Sequence, residues 1–346
     1  MKDYELECFV EKLNKSNVRF ISGKWFDKDD NEIKLINRYI AKVTGKFNPK
    51  DITNIMDSFI MIYGDMSGSW CKLPIVRKAL ELGELKKDTK LPFDLDEKQL
   101  IIINRLLFHP EDEIMFICTG VGGSGKSTFL NIVKQLFDND VSAATLTDLG
   151  NSFIVAQAIE HRLIASDELA KGELNNANIK TLISKQQVTA NHKGRIPYDV
   201  RSQSALFFCC NNPPKIDITD TGILRRIVYY SRNTKIENPD KSLNKREYTQ
   251  DELLTIARVA LSYNSLENDS WFDYFKEETH KNLISNNSVY IYFKSDDYNE
   301  SYSSYKIYCF DKNLKPYSEP TYESILELIK EWNTDICKTN IEEDIF

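Results

Sequence analysis

Between Ile114 and Thr128 the chain reads as an apolar strand, a glycine-rich loop and the start of a helix: Ile114-Met115-Phe116-Ile117-Cys118-Thr119-Gly120-Val121-Gly122-Gly123-Ser124-Gly125-Lys126-Ser127-Thr128. From Gly120 to Ser127 it carries the pattern G-x-x-x-x-G-K-[ST]. The spacing has a physical reason. Its glycines let backbone N–H groups close around phosphates, Lys126 reaches the β- and γ-phosphates, and the Ser127 hydroxyl suits Mg²⁺. The following helix aims its positive end at the anion. Phe129, Leu130, Val133, Leu136 and Phe137 recur at helical spacing, so the loop has the flanks it needs. ATP and Mg²⁺ are the ligands expected, held by Gly120, Val121, Gly122, Gly123, Ser124, Gly125, Lys126, Ser127 and Thr128. Alone, such a loop serves kinases, switches and motors.

Strands and helices alternate around it from residue 96 to about 235. Strands are expected at 141–145, 162–166, 205–210 and 227–230, helices at 151–160 and 176–184, and a hairpin at 188–200. Alternation of this kind predicts an α/β fold with a mostly parallel sheet covered by helices. Ligands then gather at the carboxyl ends of the strands. Residues 1–95 read as a separate region: a short hairpin over 18–26, helices over 31–44 and 51–63 stopped by Gly45 and Gly64, and a linker at Lys86–Lys90 before Pro92. Residues 236–346 form a third region with helices over 251–263 and 271–283.

Net charge is −7, which argues against coating DNA by bulk charge but not against gripping it at a small local site. The seven cysteines form no C-x-x-C pair, and Cys118, Cys209 and Cys210 fall in apolar strands. Buried small hydrophobes in a reducing compartment explain them better than zinc or disulfides. No apolar run is long enough to cross a bilayer, and the charged start Met1-Lys2-Asp3-Tyr4-Glu5 lacks the apolar stretch of a signal peptide. A cytoplasmic protein, neither secreted nor membrane-bound, is expected.

Three further elements follow the glycine loop. Asp167-Glu168 ends the strand after Leu163-Ile164-Ala165. There Asp167 can hold Mg²⁺ and Glu168 can polarise an attacking water, although an acidic pair also opens surface loops. Asn211 ends the apolar run Ala205-Leu206-Phe207-Phe208-Cys209-Cys210. An amide at that place can orient water beside a γ-phosphate, and Asn211-Asn212-Pro213-Pro214 equally suits a turn. Arg225-Arg226 precedes the last strand. The pair reads either as a solvated face or as an arginine finger reaching a neighbouring subunit's site.

These motifs in this order resemble the superfamily 3 helicases, a branch of the AAA+ ATPases, of the phage and poxvirus primase–helicase type. The resemblance covers residues 96–235. It implies an ATP-dependent DNA helicase of phage or mobile-element replication, acting in the host cytoplasm and translocating on single-stranded or forked DNA as a homo-oligomeric, hexameric ring. It further implies a primase or polymerase domain or protein as partner. The family's DNA-gripping hairpin lies between the acidic pair and the asparagine, where the sequence here is Gln186-Gln187-Val188-Thr189-Ala190-Asn191-His192-Lys193-Gly194-Arg195. That placement implies DNA contact by His192 and Lys193, against a plain exposed basic turn. Residues 286–318 are similar to a small winged-helix-like C-terminal module, where aromatic and basic residues suit nucleic acid, or to a helical lid packed by tyrosines. Residues 1–95 would be a collar or linker domain. The protein would be a standalone helicase or the helicase half of a larger replication protein. Two departures stand out: Ser184-Lys185-Gln186 replaces the family's Ser-Gly-Asp, and Cys210 replaces threonine before Asn211. Two competing readings are a nucleotide-switched DNA-binding or origin-recognition module without unwinding, and a small-molecule kinase. The kinase leaves the hairpin unexplained.

Overall fold

The structure, a computed structural model, describes residues 3–21, 24–29, 31–63, 73–167, 177–190, 198–214, 216, 218, 220–265 and 270–342. The N-terminal region holds α1 (Asp3–Lys15), β1 (Arg19–Ile21), β2 (Lys24–Phe26), α2 (Ile36–Thr44) and α3 (Pro49–Tyr63). The antiparallel β1–β2 hairpin lays Trp25 against Phe20 and Phe59, with ring centroids 5.0 and 5.2 Å away. Val10, Leu13, Ile40 and Ile55 complete this small core. Helix α2 begins later than its periodicity suggests. The Asp27 carboxylate accepts the N–H groups of Asp29 and Asn31, each at 2.9 Å, and Ile33 N–H returns to Trp25 O at 2.7 Å. The chain after β2 therefore folds back on that strand, with Phe26 bridged to Glu32, before the helix begins. Gly45 stops α2 at φ 73°, as expected; Gly64 lies outside the described residues.

The central layer is a sheet of five parallel strands: β3 (Met115–Gly120), β4 (Val141–Ser142), β5 (Leu163–Ser166), β8 (Ala205–Cys210) and β9 (Ile227–Arg232). Their spatial order is β4-β5-β8-β3-β9. Side chains alternate between two cores, as strand geometry requires. Phe116, Cys118, Phe207, Cys209, Val228 and Tyr230 face α4 (Pro74–Leu82), α5 (Glu97–Phe108), α6 (Lys126–Leu136) and α10 (Gln250–Leu261). Met115, Ile117, Leu206, Phe208, Ile227 and Tyr229 face α7 (Ser152–Ala158), α8 (Ala177–Ile183) and the C-terminal helices. Burial on both faces explains why these strands read as unbroken apolar runs. Helix α4 shares the first core, and Arg258 of α10 donates to Gly83 O at 2.7 Å. The expected hairpin is β6 (Gln187–Ala190) with β7 (Tyr198–Arg201).

After a short α9 (Thr221–Leu224), the elements that follow β9 are helical: α10, α11 (Ser270–Asp273), α12 (Lys276–Ile284), α13 (Ser288–Phe293), α14 (Tyr302–Asp311) and α15 (Glu319–Glu342). No strand occurs there among the described residues, so the winged-helix likeness is met in its helices only. The expected helix over 271–283 is broken in two. Its second part, α12, covers the free edge of β9: Thr279 Oγ1 accepts Tyr229 N–H at 3.0 Å and Glu278 Oε2 accepts Ser231 N–H at 2.7 Å. Tyr292, Tyr305, Tyr308 and Tyr322 are buried together, Tyr305 and Tyr322 stacked at 4.7 Å. These rings pack a helical core and are not exposed for base stacking. No helix among the described residues is long and apolar enough to cross a membrane.

Candidate nucleotide site

The parallel register brings the polar ends of three strands to one edge of the sheet. Thr119 pairs with Cys210, so Gly120 and Asn211 follow side by side; Ser166 pairs with Phe208, which brings Asp167 to the same edge. Strand β8, which Asn211 follows, lies between the loop-bearing β3 and the acid-bearing β5.

The loop needs its glycines. Gly120 has φ 140°, and a β-carbon there would sit 2.0 Å from Arg232 O. Gly123 and Gly125 have φ of 79° and 88°, in the left-handed region that side chains avoid. Helix α6 starts at Lys126, so its free N–H groups open toward the loop. Lys126 is buried and its ammonium donates to Gly120 O and Val121 O at 2.7 and 2.8 Å, inside the turn. Ser124 is also buried, whereas Val121, Gly122 and Ser127 are exposed. The Ser127 hydroxyl donates to Asp167 Oδ1 at 3.1 Å, and Thr128 donates to Asn244 Oδ1. A hydroxyl and a carboxylate on neighbouring elements form a hard-oxygen pair suited to Mg²⁺. A glycine that admits no β-carbon, two more at left-handed φ and a buried lysine form a cradle suited to a polyphosphate.

Asn211 is exposed at the edge, within a bend that includes Asn212. Asn286 Nδ2 donates to Pro213 O at 3.0 Å, tying that bend to the C-terminal helices. Asn211 thus lies in a turn next to the strand end that leads into the loop. The two arginines differ. Arg226 is engaged within its own chain: Nε and Nη2 reach Glu113 Oε2 at 2.8 and 2.6 Å, and Nη1 donates to Gly222 O. Arg225 is exposed, and its side chain makes no hydrogen bond or ion pair among the described residues. Glu168, His192 and Lys193 lie outside the described residues.

Cys118, Cys209, Cys210 and Cys309 are buried as small hydrophobes, whereas Cys8 is exposed. Burial pushes the Cys210 thiol up to about 12, and Cys209, hydrogen-bonded to Cys118, is raised as well. Lys185 sits at the foot of the hairpin with φ 50°. That is left-handed backbone, which a lysine rarely adopts. The Lys185 ammonium donates to Ser204 O.

The sequence pattern gives no sign of the segment that follows β9. Ile236 N–H donates to Gly123 O at 3.1 Å, and Arg232 and Lys235 lie against Gly125 and Gly123. A second unsignalled contact joins Thr119 Oγ1 to Ser231 Oγ at 3.1 Å, with Asn282 Nδ2 donating to the same Ser231 oxygen at 2.9 Å. Through it α12 touches the strand that enters the loop.

No curated protein matches this one. The family described as "Family of unknown function (DUF5906)" matches residues 118–226, which run from β3 through Arg226. Among solved structures, the apo structure of NrS-1 C terminal region (305-718) is similar with 14% identity and a TM-score of 0.52, over 95% of this chain and 86% of that one. An A form apo structure of the same region aligns at 14% identity and a TM-score of 0.49, over 93% and 85% of the two chains. At such identity the first likeness speaks to the fold: an α/β architecture with a parallel five-stranded sheet and helical flanks, shared over most of the chain.

Proposed function

We propose that this protein is an ATP-dependent DNA helicase of the superfamily 3 type, working as a ring of identical subunits in the replication of a phage or mobile element. The observation that carries the reading is the Ser127–Asp167 contact at the carboxyl edge of the sheet, with Asn211 on the strand between their elements. In this reading residues 120–128 bind the phosphates of ATP. Ser127 and Asp167 would hold Mg²⁺, which would neutralise charge on the phosphates. Glu168 takes a proton from the attacking water, and Asn211 orients that water and registers the γ-phosphate. Arg225 enters the next subunit's site, because Arg226 is already paired with Glu113. The 186–200 hairpin, with His192 and Lys193 at its tip, grips single-stranded DNA in the central pore. A primase or polymerase, in the same polypeptide or a separate one, would act beside it. Two variants test this. Lys126→Ala should abolish hydrolysis of ATP while the fold persists. Lys193→Ala should retain basal hydrolysis and lose strand displacement; normal unwinding by that variant would remove the hairpin from the account.

A further inference from the structure

We propose that the segment Arg232–Ile236 supplies two further phosphate-binding cations, Arg232 and Lys235, from the same subunit. The inference rests on reading the glycine loop as an ATP site. The segment is hydrogen-bonded to the loop itself, through Ile236 N–H and Gly123 O at 3.1 Å. The stem of Lys235 runs along Gly123, its Cγ and Cε 3.6 and 3.7 Å from where a β-carbon on that glycine would lie. The Arg232 guanidinium covers Gly125, with Nη2 at 3.7 Å and Cζ at 3.8 Å from the corresponding point. Further on, the backbone is anchored to α6. Asn244 accepts the Thr128 hydroxyl, and Arg246 O accepts Asn131 Nδ2 at 3.0 Å and Gln135 Nε2 at 2.8 Å. The two cations are thus delivered by a fixed strap rather than a free loop.

Their partners point the same way. Lys235 is exposed and makes no hydrogen bond or ion pair among the described residues. There the Arg232 guanidinium bonds only the Tyr230 hydroxyl, at 3.4 Å, and that hydroxyl donates its own proton to Asp96. With Lys126, three cations of one subunit flank the same glycines, none of them paired to a carboxylate among the described residues. Like charges at such spacing repel, and a triphosphate between them turns that repulsion into attraction. The Gly123 and Gly125 contacts allow a rival role, in which the strap merely buttresses the loop.

Lys235→Met separates the two, because it keeps the stem on Gly123 and removes the charge. ATP affinity is measured by equilibrium titration for the wild type, Lys235→Met, Arg232→Gln, Lys235→Arg and Lys126→Ala, with thermal melting of each nucleotide-free protein. We expect Lys235→Met and Arg232→Gln each to weaken ATP binding about tenfold or more, with melting temperatures within about 2 °C of wild type. Lys235→Arg should stay close to wild type. Unchanged affinity in Lys235→Met and Arg232→Gln, with Lys126→Ala impaired, overturns the strap proposal alone. A loss of affinity that follows a lowered melting temperature also overturns it, in favour of the buttress. Unchanged affinity in Lys126→Ala would instead overturn the ATP reading on which the proposal stands.

Discussion

The Ser127 hydroxyl and the Asp167 carboxylate meet at 3.1 Å although 40 residues separate them. One lies in the first turn of α6 and the other follows β5, with β8 between their strands. Neither group has a reason to be there for stability, since Asp167 and Ser127 are both exposed and such a bond contributes little in water. In the proposed ATP site a shared divalent cation would give the pair a purpose. Ser127→Ala and Asp167→Asn should each lower Mg²⁺-dependent ATP hydrolysis by about 10²-fold or more. Steady-state phosphate release at saturating Mg²⁺ measures this, with circular dichroism to confirm folding. Activity near wild type in both variants would contradict the assignment.

The unequal surroundings of the paired arginines make a second prediction. Arg225→Ala should fold like wild type and lose nearly all hydrolysis, since a finger contributes about 10³ to 10⁵ in turnover. Arg226→Ala removes the partner of Glu113 and should lower the melting temperature instead. Mixing Arg225→Ala with Lys126→Ala subunits should restore part of the activity, because each supplies what the other lacks at a shared interface. A mixture as inactive as its components would rule out a finger acting between subunits.

Phe207 tests the sheet. It is fully buried on β8 and meets Phe129 of α6 edge-on at 5.4 Å, which ties the helix after the loop to the strand before Asn211. Phe207→Ala should cost about 3–5 kcal/mol, a large share of a domain's total stability. Urea unfolding reads this as a lower midpoint at unchanged slope.

Lys185 predicts a pH dependence. Burial pushes its ammonium down to about 8, opposed by the carboxylates of Asp112, Glu111 and Glu113, against 10.5 for an unhindered lysine. Between those two values the unfolded protein holds a proton that the folded protein has released, so this contribution to stability rises with pH. The stability of wild type minus that of Lys185→Met should therefore shift in favour of wild type as pH climbs from about 8 toward 10.5. Urea titrations across that window check it; a flat difference would mean that Lys185 stays solvated.

Much of the fold is legible in the sequence for a simple reason. Strands buried on both faces leave unbroken apolar runs, and β8 occupies the residues 205–210 expected of it. Where local polar bonds compete, the pattern misleads. The strand expected to reach Thr145 ends at Ser142, because the Thr145 N–H and hydroxyl both turn to the Asp148 carboxylate, at 2.9 and 2.7 Å. The glycine loop, Asp167 and Asn211 are readable as motifs because each chemical role needs one residue type at one strand end. The Arg232–Ile236 strap is not. Its contacts join residues more than a hundred positions apart, use backbone atoms and aliphatic stems, and leave no period in the sequence. The C-terminal tyrosines mislead in the opposite direction. Their number suggests stacking surfaces, yet Tyr292 and Tyr305 are fully enclosed.

The central claim is that ATP hydrolysis at residues 120–128 drives separation of DNA strands. A strand-displacement assay on forked DNA, with ATP and Mg²⁺, compares the wild type with Lys126→Ala. The account predicts release of the labelled strand by the wild type and none by the variant. Steady ATP hydrolysis by the wild type with DNA bound but no strand released would contradict it, and would favour a nucleotide-switched DNA-binding module instead.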